Sequence, residues 1–330
     1  MSLPNWPRAH GDPLFSALIR SHPEDFEVSE ELGFDLSGDG EHDYLFIEKT
    51  SANTQWVSRQ LAMHAEVPAK DVGFAGLKDR HAVTRQWFSV PRWNTPDWES
   101  LTVDGVRLLE QRRHTRKLRR GAHKRNHFRI VLRGKLADEH LLRNRLQGVS
   151  TAGVPNYFGE QRFGRDGANM QLADRWARGQ RLPRHKRNFA ISAARAFFFN
   201  EQLADRIRNG TWNRLIAGDM ANLDGSGSVF QVEQPDAELL QRCQELDIHP
   251  TGTLFGDGSA VTDTRLGHKN WLDALTRDRV KPANRSLRMR VVDLQWSASA
   301  DSLSLQFTLS RGAFATSVLR EVAEFQNAPS

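Results

Sequence analysis

The chain has 330 residues and carries 46 Lys and Arg against 40 Asp and Glu, a formal net charge of +6. This length predicts about two domains with a core large enough to fold without disulfides. Mean hydropathy is −0.59, and no apolar run approaches the roughly 20 residues of a membrane helix. The single cysteine, Cys243, excludes an intramolecular disulfide framework and a zinc site built from several cysteines. The N-terminus lacks the pattern of a signal or transit peptide, so we expect a cytoplasmic protein.

Arginine supplies most of the positive charge, with 37 arginines against nine lysines. The planar guanidinium matches phosphate oxygens and stacks on nucleobases, which suits nucleic-acid binding. A GC-rich genome would produce the same bias, so composition alone leaves both interpretations open.

The first part of the chain is predicted to be rich in strands. Alternation of apolar and polar residues predicts strands at residues 43–49, 86–90 and 128–133. In the third of these, apolar residues from Phe128 onward alternate with arginines, which predicts one buried face and one basic face. A helix is predicted at residues 53–64, with Asn53 or Thr54 as its N-cap.

The middle of the chain is predicted to be helical, and strands return near its end. Helices are expected at residues 169–178 and 192–208, with Gly179 and Gly210 as their respective stops. Strands are expected at residues 289–296 and 302–309, and a short helix follows with Val318 and Val322 on one face.

Strand-rich ends around a helix-rich middle predict an α+β fold in which a second domain interrupts the first. We therefore expect a first domain made of residues 1–152 and 291–330, and an inserted domain of residues 153–290.

The sequence contains no familiar nucleotide or metal motif. No G-x-G-x-x-G follows a predicted strand, and there is no Walker A loop. His123 and His127 flank Lys124 and Arg125, and such a cationic setting repels a metal ion. We therefore expect neither a cofactor nor a metal.

Residues 112–125 (RRHTRKLRRGAHKR), named here the basic run, contain eight Lys and Arg, two His and no acidic residue. Like charges at this density repel one another unless a polyanion neutralises them, which favours a phosphate-binding surface over a passive loop. The predicted contacts to an RNA backbone are Arg112, Arg113, Arg116, Lys117, Arg119, Arg120, Lys124 and Arg125. A second basic cluster at residues 181–187 predicts the same role.

A lone carboxylate, Asp79, lies between Lys78 and Arg80 in a glycine-punctuated segment. The flanking cations favour its charged form. A carboxylate repels RNA and does not help affinity, so its presence among phosphate-binding residues indicates a catalytic role. Charge pattern alone, however, favours a surface ion-pair cluster at a turn.

The segment around Asp79 reads FAGLKDRHAVTRQW at residues 74–87. Further motifs lie before and after it along the chain, namely PEDF at 23–26, KLRRG at 117–121 leading to NHF at 126–128, GVPNYFGEQRFG at 153–164 and GAFATS at 312–317. Together these motifs resemble the TruD family of tRNA pseudouridine synthases over nearly the whole chain.

The resemblance implies a pseudouridine synthase catalytic domain with an antiparallel or mixed sheet, plus an inserted TruD-specific α+β domain. The two would form a V with a basic cleft between them. It also implies that the partner is tRNA and that uridine 13 in the D-arm is isomerised to pseudouridine without a cofactor. We expect a monomer that requires neither a membrane nor a protein partner.

Carried over motif by motif, the catalytic aspartate of the family falls on Asp79. The contacts to the target uridine fall on Phe26, Asn126, Phe128 and Phe314. Three cations remain open as the charge partner of the carboxylate, namely Arg20, Lys78 and Arg80; relatives can carry a lysine in place of Arg20. Without the resemblance, the three phenylalanines would be interpreted as core residues and the asparagine as a turn residue.

The residue chemistry agrees with this assignment. One ionised carboxylate can serve as nucleophile or as base, and aromatic rings can stack on a base that has left its helix. The alternative is a non-catalytic tRNA-binding protein or chaperone on the same scaffold. A methyltransferase is disfavoured because the sequence lacks a nucleotide-cofactor motif.

Overall fold

The computed structural model of the chain describes residues 3–259 and 268–328. It divides into two compact units, each assembled from separate stretches of sequence. The described residues of the first, named the sheet unit, fall within Pro13–Leu146, Val291–Gly312 and Ala323–Ser330. Those of the second, named the helical unit, fall within Met1–Asp12, Gln147–Arg290 and Ala313–Val322.

The strands of both units are numbered in chain order. They are β1 (Ser16–Ile19), β2 (Phe26–Leu32), β3 (His42–Thr50), β4 (Gly73–Phe74), β5 (Val83–Pro91), β6 (Val106–His114), β7 (His123–Arg133), β8 (Val154–Pro155), β9 (Met220–Leu223), β10 (Val229–Gln231), β11 (Ile248–Leu254), β12 (Ala283–Ser286), β13 (Arg288–Met289), β14 (Val292–Ala298), β15 (Ser302–Ser310) and β16 (Glu324–Asn327).

The helices are numbered in the same way. They are α1 (Thr54–His64), α2 (Glu139–Ala152), α3 (Ala168–Ala177), α4 (Arg184–Arg208), α5 (Ala237–Gln244), α6 (Lys269–Arg277) and α7 (Ala315–Arg320). Among the residues that the structure describes, no helix is both long enough and apolar enough to span a bilayer.

A ten-stranded mixed sheet is the framework of the sheet unit. Its main path is β14-β15-β7-β2-β5-β3-β6, with β1 and β16 attached beside β7 and with β4 attached to β5. The β2–β5 and β1–β16 pairs are parallel, and the remaining pairs are antiparallel. The expectation of an α+β fold with a mixed sheet is therefore confirmed.

The helical unit contains a four-stranded antiparallel sheet in the order β10-β9-β11-β12 and a short β8–β13 pair. Its core is aromatic and surrounds α4, where Phe198 and Phe199 are fully buried together with Trp271 of α6. Long-range aromatic packing of this kind supplies much of the burial energy of a unit.

The local predictions agree with the structure wherever the apolar pattern was regular. The helix predicted at residues 53–64 is α1, and its N-cap is Asn53, whose side chain accepts a hydrogen bond from the Gln55 N–H at 2.9 Å. The predicted strands at residues 43–49, 86–90 and 128–133 lie within β3, β5 and β7.

Two predicted boundaries are wrong. Helix α4 begins at Arg184, directly after Pro183, and not at residue 192. Its first turns are basic and polar, so they carry no apolar periodicity. The strand predicted at residues 289–296 is divided at Arg290 between β13 and β14, because β13 pairs with β8 in the helical unit and β14 pairs with β15 in the sheet unit.

Three short segments differ in placement from the predicted domains. The described residues of Met1–Asp12, residues 147–152 and Ala313–Val322 were predicted in the first domain and belong to the helical unit. One contact that holds them is the stack of Trp6 on Tyr157, whose ring centroids are 5.9 Å apart. Such a contact joins residues far apart in sequence, and it leaves no periodic signal.

We predict that Ile130→Ala lowers the free energy of unfolding by about 2–5 kcal/mol, because it opens a cavity in the sheet. Ile130 is fully buried on β7 and pairs with Phe26 of β2. Urea denaturation would measure the change. The exposed Ile216 is the control, since Ile216→Ala should shift the free energy by less than about 0.5 kcal/mol. Equal effects of the two variants would contradict the prediction.

Candidate active site

Two adjacent strands place several predicted site residues on one face of the sheet. In the antiparallel β2–β7 pair, Phe26 lies opposite Ile130 and Glu30 lies opposite Asn126. Side chains alternate along a strand, so Phe128 projects from the same face as these residues. The rings of Phe26 and Phe128 pack edge to face with their centroids 6.4 Å apart.

Residues 75–82, named the Asp79 loop, connect β4 to β5. The hydroxyl of Thr54 accepts a hydrogen bond from the Lys78 N–H at 3.0 Å and donates to Gln86 Oε1 at 3.0 Å. Gln86 Nε2 in turn donates to the Gly76 carbonyl at 3.2 Å. Thr54 in the first turn of α1 and Gln86 on β5 therefore hold the part of the loop that precedes Asp79 in the sequence.

Arg20 is the cation in contact with Asp79. Its Nη2 atom lies 2.6 Å from Asp79 Oδ2, and its Nη1 atom donates to Asn327 Oδ1 at 2.8 Å. The other carboxylate oxygen, Oδ1, accepts a hydrogen bond from the His81 N–H at 3.2 Å. Both oxygens of the carboxylate therefore face donors, an arrangement that suits a charge-assisted pair.

The position of Arg20 has a conformational cost. Its φ is +58°, and this left-handed conformation costs a non-glycine residue about 1–3 kcal/mol. The guanidinium lies over the ring of Phe26, with Cζ 4.1 Å from the ring centroid. Cation–π attraction and the ion pair with Asp79 together offset the backbone strain.

The other two cations offered as partners of Asp79 lie elsewhere. Lys78 Nζ is 2.7 Å from Glu30 Oε2 and donates to Asn126 Oδ1 at 2.6 Å. The Glu30 side chain is fully buried, and a buried carboxylate needs a cation, so it draws Lys78 away from Asp79. The Arg80 side chain is exposed, and the described part of the chain includes no partner for it.

The contact with Lys78 fixes the orientation of the Asn126 amide. A lysine ammonium has donors only, so the atom that faces it is Oδ1 and not Nδ2. The sequence suggested that Asn126 could bind uracil through both its donor and its acceptor. In the structure Oδ1 is engaged by Lys78, which leaves Nδ2 as the donor available to a ligand.

Lys49 is a further member of this network. It is fully buried at the end of β3, and its Nζ atom donates to the carbonyl oxygens of Ala52 at 2.7 Å and Asp79 at 2.8 Å. Burial lowers the pKa of Lys49 to about 8. The charge of Lys78 also lowers this pKa, whereas the charge of Asp79 raises it.

Sequence reasoning missed Glu30 and Lys49, although both left a signal. Glu30 continues the alternating apolar face of β2 that begins with Phe26, and Lys49 continues the face of β3 that includes Leu45. A charged residue at the end of an apolar alternation must be paired when it is buried.

The remaining predicted aromatic contacts have different surroundings. Phe128 is half-buried, and its ring stacks on Phe307 with centroids 5.4 Å apart. Phe314 belongs to the helical unit, where it immediately precedes α7 and packs against the aromatic core of that unit. The predicted site residues that the sheet unit brings together are Arg20, Phe26, Lys78, Asp79, Asn126 and Phe128.

The basic run covers the end of β6, the following loop and the start of β7. Three of its cations have acidic neighbours from outside the run: Arg112 with Glu110 at 2.6 Å, Lys117 with Asp71 at 4.0 Å and Arg125 with Glu31 at 3.6 Å. The protein itself therefore relieves part of the repulsion that the sequence indicated. Five exposed cations of the run have no carboxylate partner among the described residues. Arg113 donates to the Gly40 carbonyl and Arg120 lies over the Phe74 ring, whereas Arg116, Arg119 and Lys124 have neither kind of contact within the described chain.

No cluster of three or more potential metal ligands occurs in residues 3–259 and 268–328. His123 and His127 both lie on β7. Nε2 of His127 is 2.9 Å from Glu31, and burial lowers the pKa of His123.

The family model described as tRNA pseudouridine synthase D (TruD) matches residues 10–176 and 169–322. The tRNA pseudouridine synthase D of Nitrosococcus oceani is 44% identical over 339 residues, covering 96% of this chain and 94% of the relative. That of Methylococcus capsulatus is 44% identical over 333 residues, covering 97% and 94%. In fold, the chain is similar to the crystal structure of a Methanosarcina mazei protein assigned to the same name, with a TM-score of 0.75, 19% identity and 99% coverage of both chains.

We predict that Lys78→Met lowers the free energy of unfolding by about 3–5 kcal/mol, because it leaves the buried Glu30 carboxylate without its cation. Urea denaturation would measure the loss. The double variant Glu30→Gln with Lys78→Met removes both charges and should recover most of the stability. Additive losses in the double variant would show that the two charges do not depend on each other.

Proposed function

Because the chain belongs to the TruD family of tRNA pseudouridine synthases, we propose that it isomerises uridine 13 in the D-arm of tRNA to pseudouridine in the cytoplasm. The proposal includes an essential Asp79 and needs neither cofactor nor metal. The observation that supports it best is the Asp79 carboxylate, paired with Arg20 at 2.6 Å on a loop fixed from several sides.

The isomerisation is balanced without any other reactant. The N1–C1′ bond of uridine breaks, the uracil turns, and a bond forms between C5 and C1′. C5 loses its proton and N1 gains one, so the composition does not change. Asp79 serves as nucleophile or as base. Its ion pair with Arg20 stabilises the negative charge of the carboxylate after RNA has excluded water.

The residues around Asp79 suit a uracil that has left its stack. The exposed part of Phe128 can stack on the base, a contact worth roughly 1–3 kcal/mol. Nδ2 of Asn126 can donate to a uracil carbonyl. Phe26 is only 5% exposed and lies beneath Arg20, so its main contribution is to support the guanidinium. We place Phe314 as a further contact to the uridine on the resemblance alone.

The basic run is proposed to follow the tRNA backbone, with Arg116, Arg119 and Lys124 as its free cations. A monomer is sufficient for this role, and no membrane or protein partner is required. Recognition would rest on RNA shape and phosphate contacts, as is usual for structured RNA.

The first test is Asp79→Asn, which keeps the shape of the side chain and removes its charge. We expect no pseudouridine from this variant, while its affinity for tRNA stays within several-fold of wild type. Unmodified tRNA transcripts are incubated with enzyme, digested to nucleosides and separated by chromatography. The exposed Asp39 is the control, because Asp39→Asn makes the same chemical change and should leave the rate unaltered.

The outcomes separate the rival functions. Substantial activity of Asp79→Asn would contradict the assignment of the catalytic carboxylate. Tight tRNA binding by the wild type without any pseudouridine would favour the non-catalytic binding protein. A transcript with cytidine at position 13 tests the target, since pseudouridine formed elsewhere in that transcript at the wild-type level would overturn the choice of uridine 13.

The second test concerns salt. Neutralising Arg116, Arg119 and Lys124 to glutamine should weaken tRNA binding and reduce the magnitude of the log Kd against log salt slope by roughly 2–3, since each phosphate contact contributes roughly 0.7–0.9. Filter binding at several salt concentrations gives the slope. Arg208→Gln, at an exposed position on α4, should leave it unchanged. An unchanged slope in the triple variant would remove the basic run from the interface.

A further inference from the structure

The ammonium of Lys49 lies in an unusual environment for a lysine. It has no measurable exposure to solvent, and its hydrogen-bond partners are two backbone carbonyls, those of Ala52 and Asp79. Burying an ammonium on neutral carbonyls is unfavourable unless another interaction offsets it. A methionine or leucine would avoid the cost of burying a charge but would leave both carbonyls without this donor, so the lysine acts through the backbone of Ala52 and Asp79.

We propose that Lys49 is a positioning residue for the reaction, because its buried ammonium holds the Asp79 backbone and places a positive charge next to this residue. This inference rests on the proposed function. Lys49 touches neither the carboxylate nor a substrate, so it acts through Asp79.

The geometry shows why the backbone contact matters. Arg20 holds the carboxylate of Asp79 at 2.6 Å, and Lys49 holds the carbonyl of the same residue at 2.8 Å. The residue is therefore fixed at both its side chain and its main chain. With only one of these two contacts, the loop could rotate about that contact. A displacement of about 1 Å in a reacting group can cost roughly 100-fold in rate.

The charges around Lys49 are few and can be named. The Asp79 loop presents Asp79, which favours the charged ammonium, and Lys78, which opposes it. On β3 the adjacent Glu48 points to the other face of the sheet, where it pairs with Arg85. Titration of Lys49 therefore changes the field at Asp79 more directly than at any other carboxylate.

This arrangement predicts a specific pH dependence. Burial lowers the pKa of Lys49 to about 8, so the ammonium loses its charge as the pH rises from 7 to 9. The wild-type rate should fall across this range under conditions of saturating tRNA. A neutral amine can still donate hydrogen bonds, so the fall reports the charge and not only the contact.

Unfolding does not explain such a fall. The pKa of Lys49 is lower in the folded chain than its ordinary value of 10.5, so the folded state prefers the neutral amine. Through this group the fold gains stability between about pH 8 and 10.5 and is not weakened there.

The experiment compares wild type with Lys49→Met by single-turnover rate, tRNA Kd and pH profile. We expect the rate at pH 7 to fall roughly 10- to 100-fold, while Kd stays within about twofold and the alkaline decline disappears. Titration of the RNA itself would affect the pH profiles of both proteins equally, so the comparison separates it from the titration of Lys49. Lys135→Met, at an exposed position of the sheet unit, is the matched control and should behave as wild type in all three measurements.

Two results would overturn the inference: a wild-type rate at pH 7 in Lys49→Met, or the same alkaline decline in both proteins. If Lys49→Met does not fold, the wild-type profile decides, and a rate that stays constant from pH 7 to 9 overturns it. A wild type that makes no pseudouridine at any pH is a failure of the proposed function instead, so the two failures are distinguishable.

Discussion

The ion pair between Lys78 and Glu30 connects the Asp79 loop to the sheet. Glu30 is fully buried on β2, and Lys78 is the residue next to Asp79 in sequence. A buried carboxylate requires a paired cation, so the contact with Glu30 holds Lys78, and with it the middle of the loop, against the sheet. The same ammonium orients the Asn126 amide at 2.6 Å. Lys78 therefore fixes the backbone next to Asp79, and it also determines that Oδ1 of Asn126 is engaged while Nδ2 stays available.

Three cations around Asp79 have separate tasks, although the sequence presented Arg20 and Lys78 as alternatives and did not indicate Lys49. Arg20 contacts the carboxylate, Lys78 neutralises Glu30, and Lys49 holds the main chain. Arginine suits the first task because its fork can bind two acceptors at once while its face covers the Phe26 ring. Lysine suits the other two because a compact ammonium fits against a buried oxygen.

Much of the fold and the position of the candidate site follow from the sequence. Strands β3, β5 and β7 and helix α1 were predictable because their apolar residues repeat at regular intervals. Asp79 was predictable because it lies within a contiguous motif. The ion pair of Glu30 with Lys78 was not predictable, because a carboxylate at the end of an apolar strand indicates that a partner exists without identifying it. The stack of Trp6 on Tyr157 was not predictable for the same reason, since the two rings meet only after folding.

The position of β15 in the sheet affects how the chain can be made. Strand β7 lies between β2 and β15, and β15 is formed by residues 302–310. A ribosome releases β2 and β7 early, whereas β15 emerges only after the whole of Gln147–Arg290 has been synthesised. During that interval one long edge of β7 has no strand beside it, and an open edge is a template for pairing with other chains. The arginines of β7 add little free charge to that edge, because Arg125, Arg129 and Arg133 pair with Glu31, Glu27 and Asp25, which are synthesised before β7.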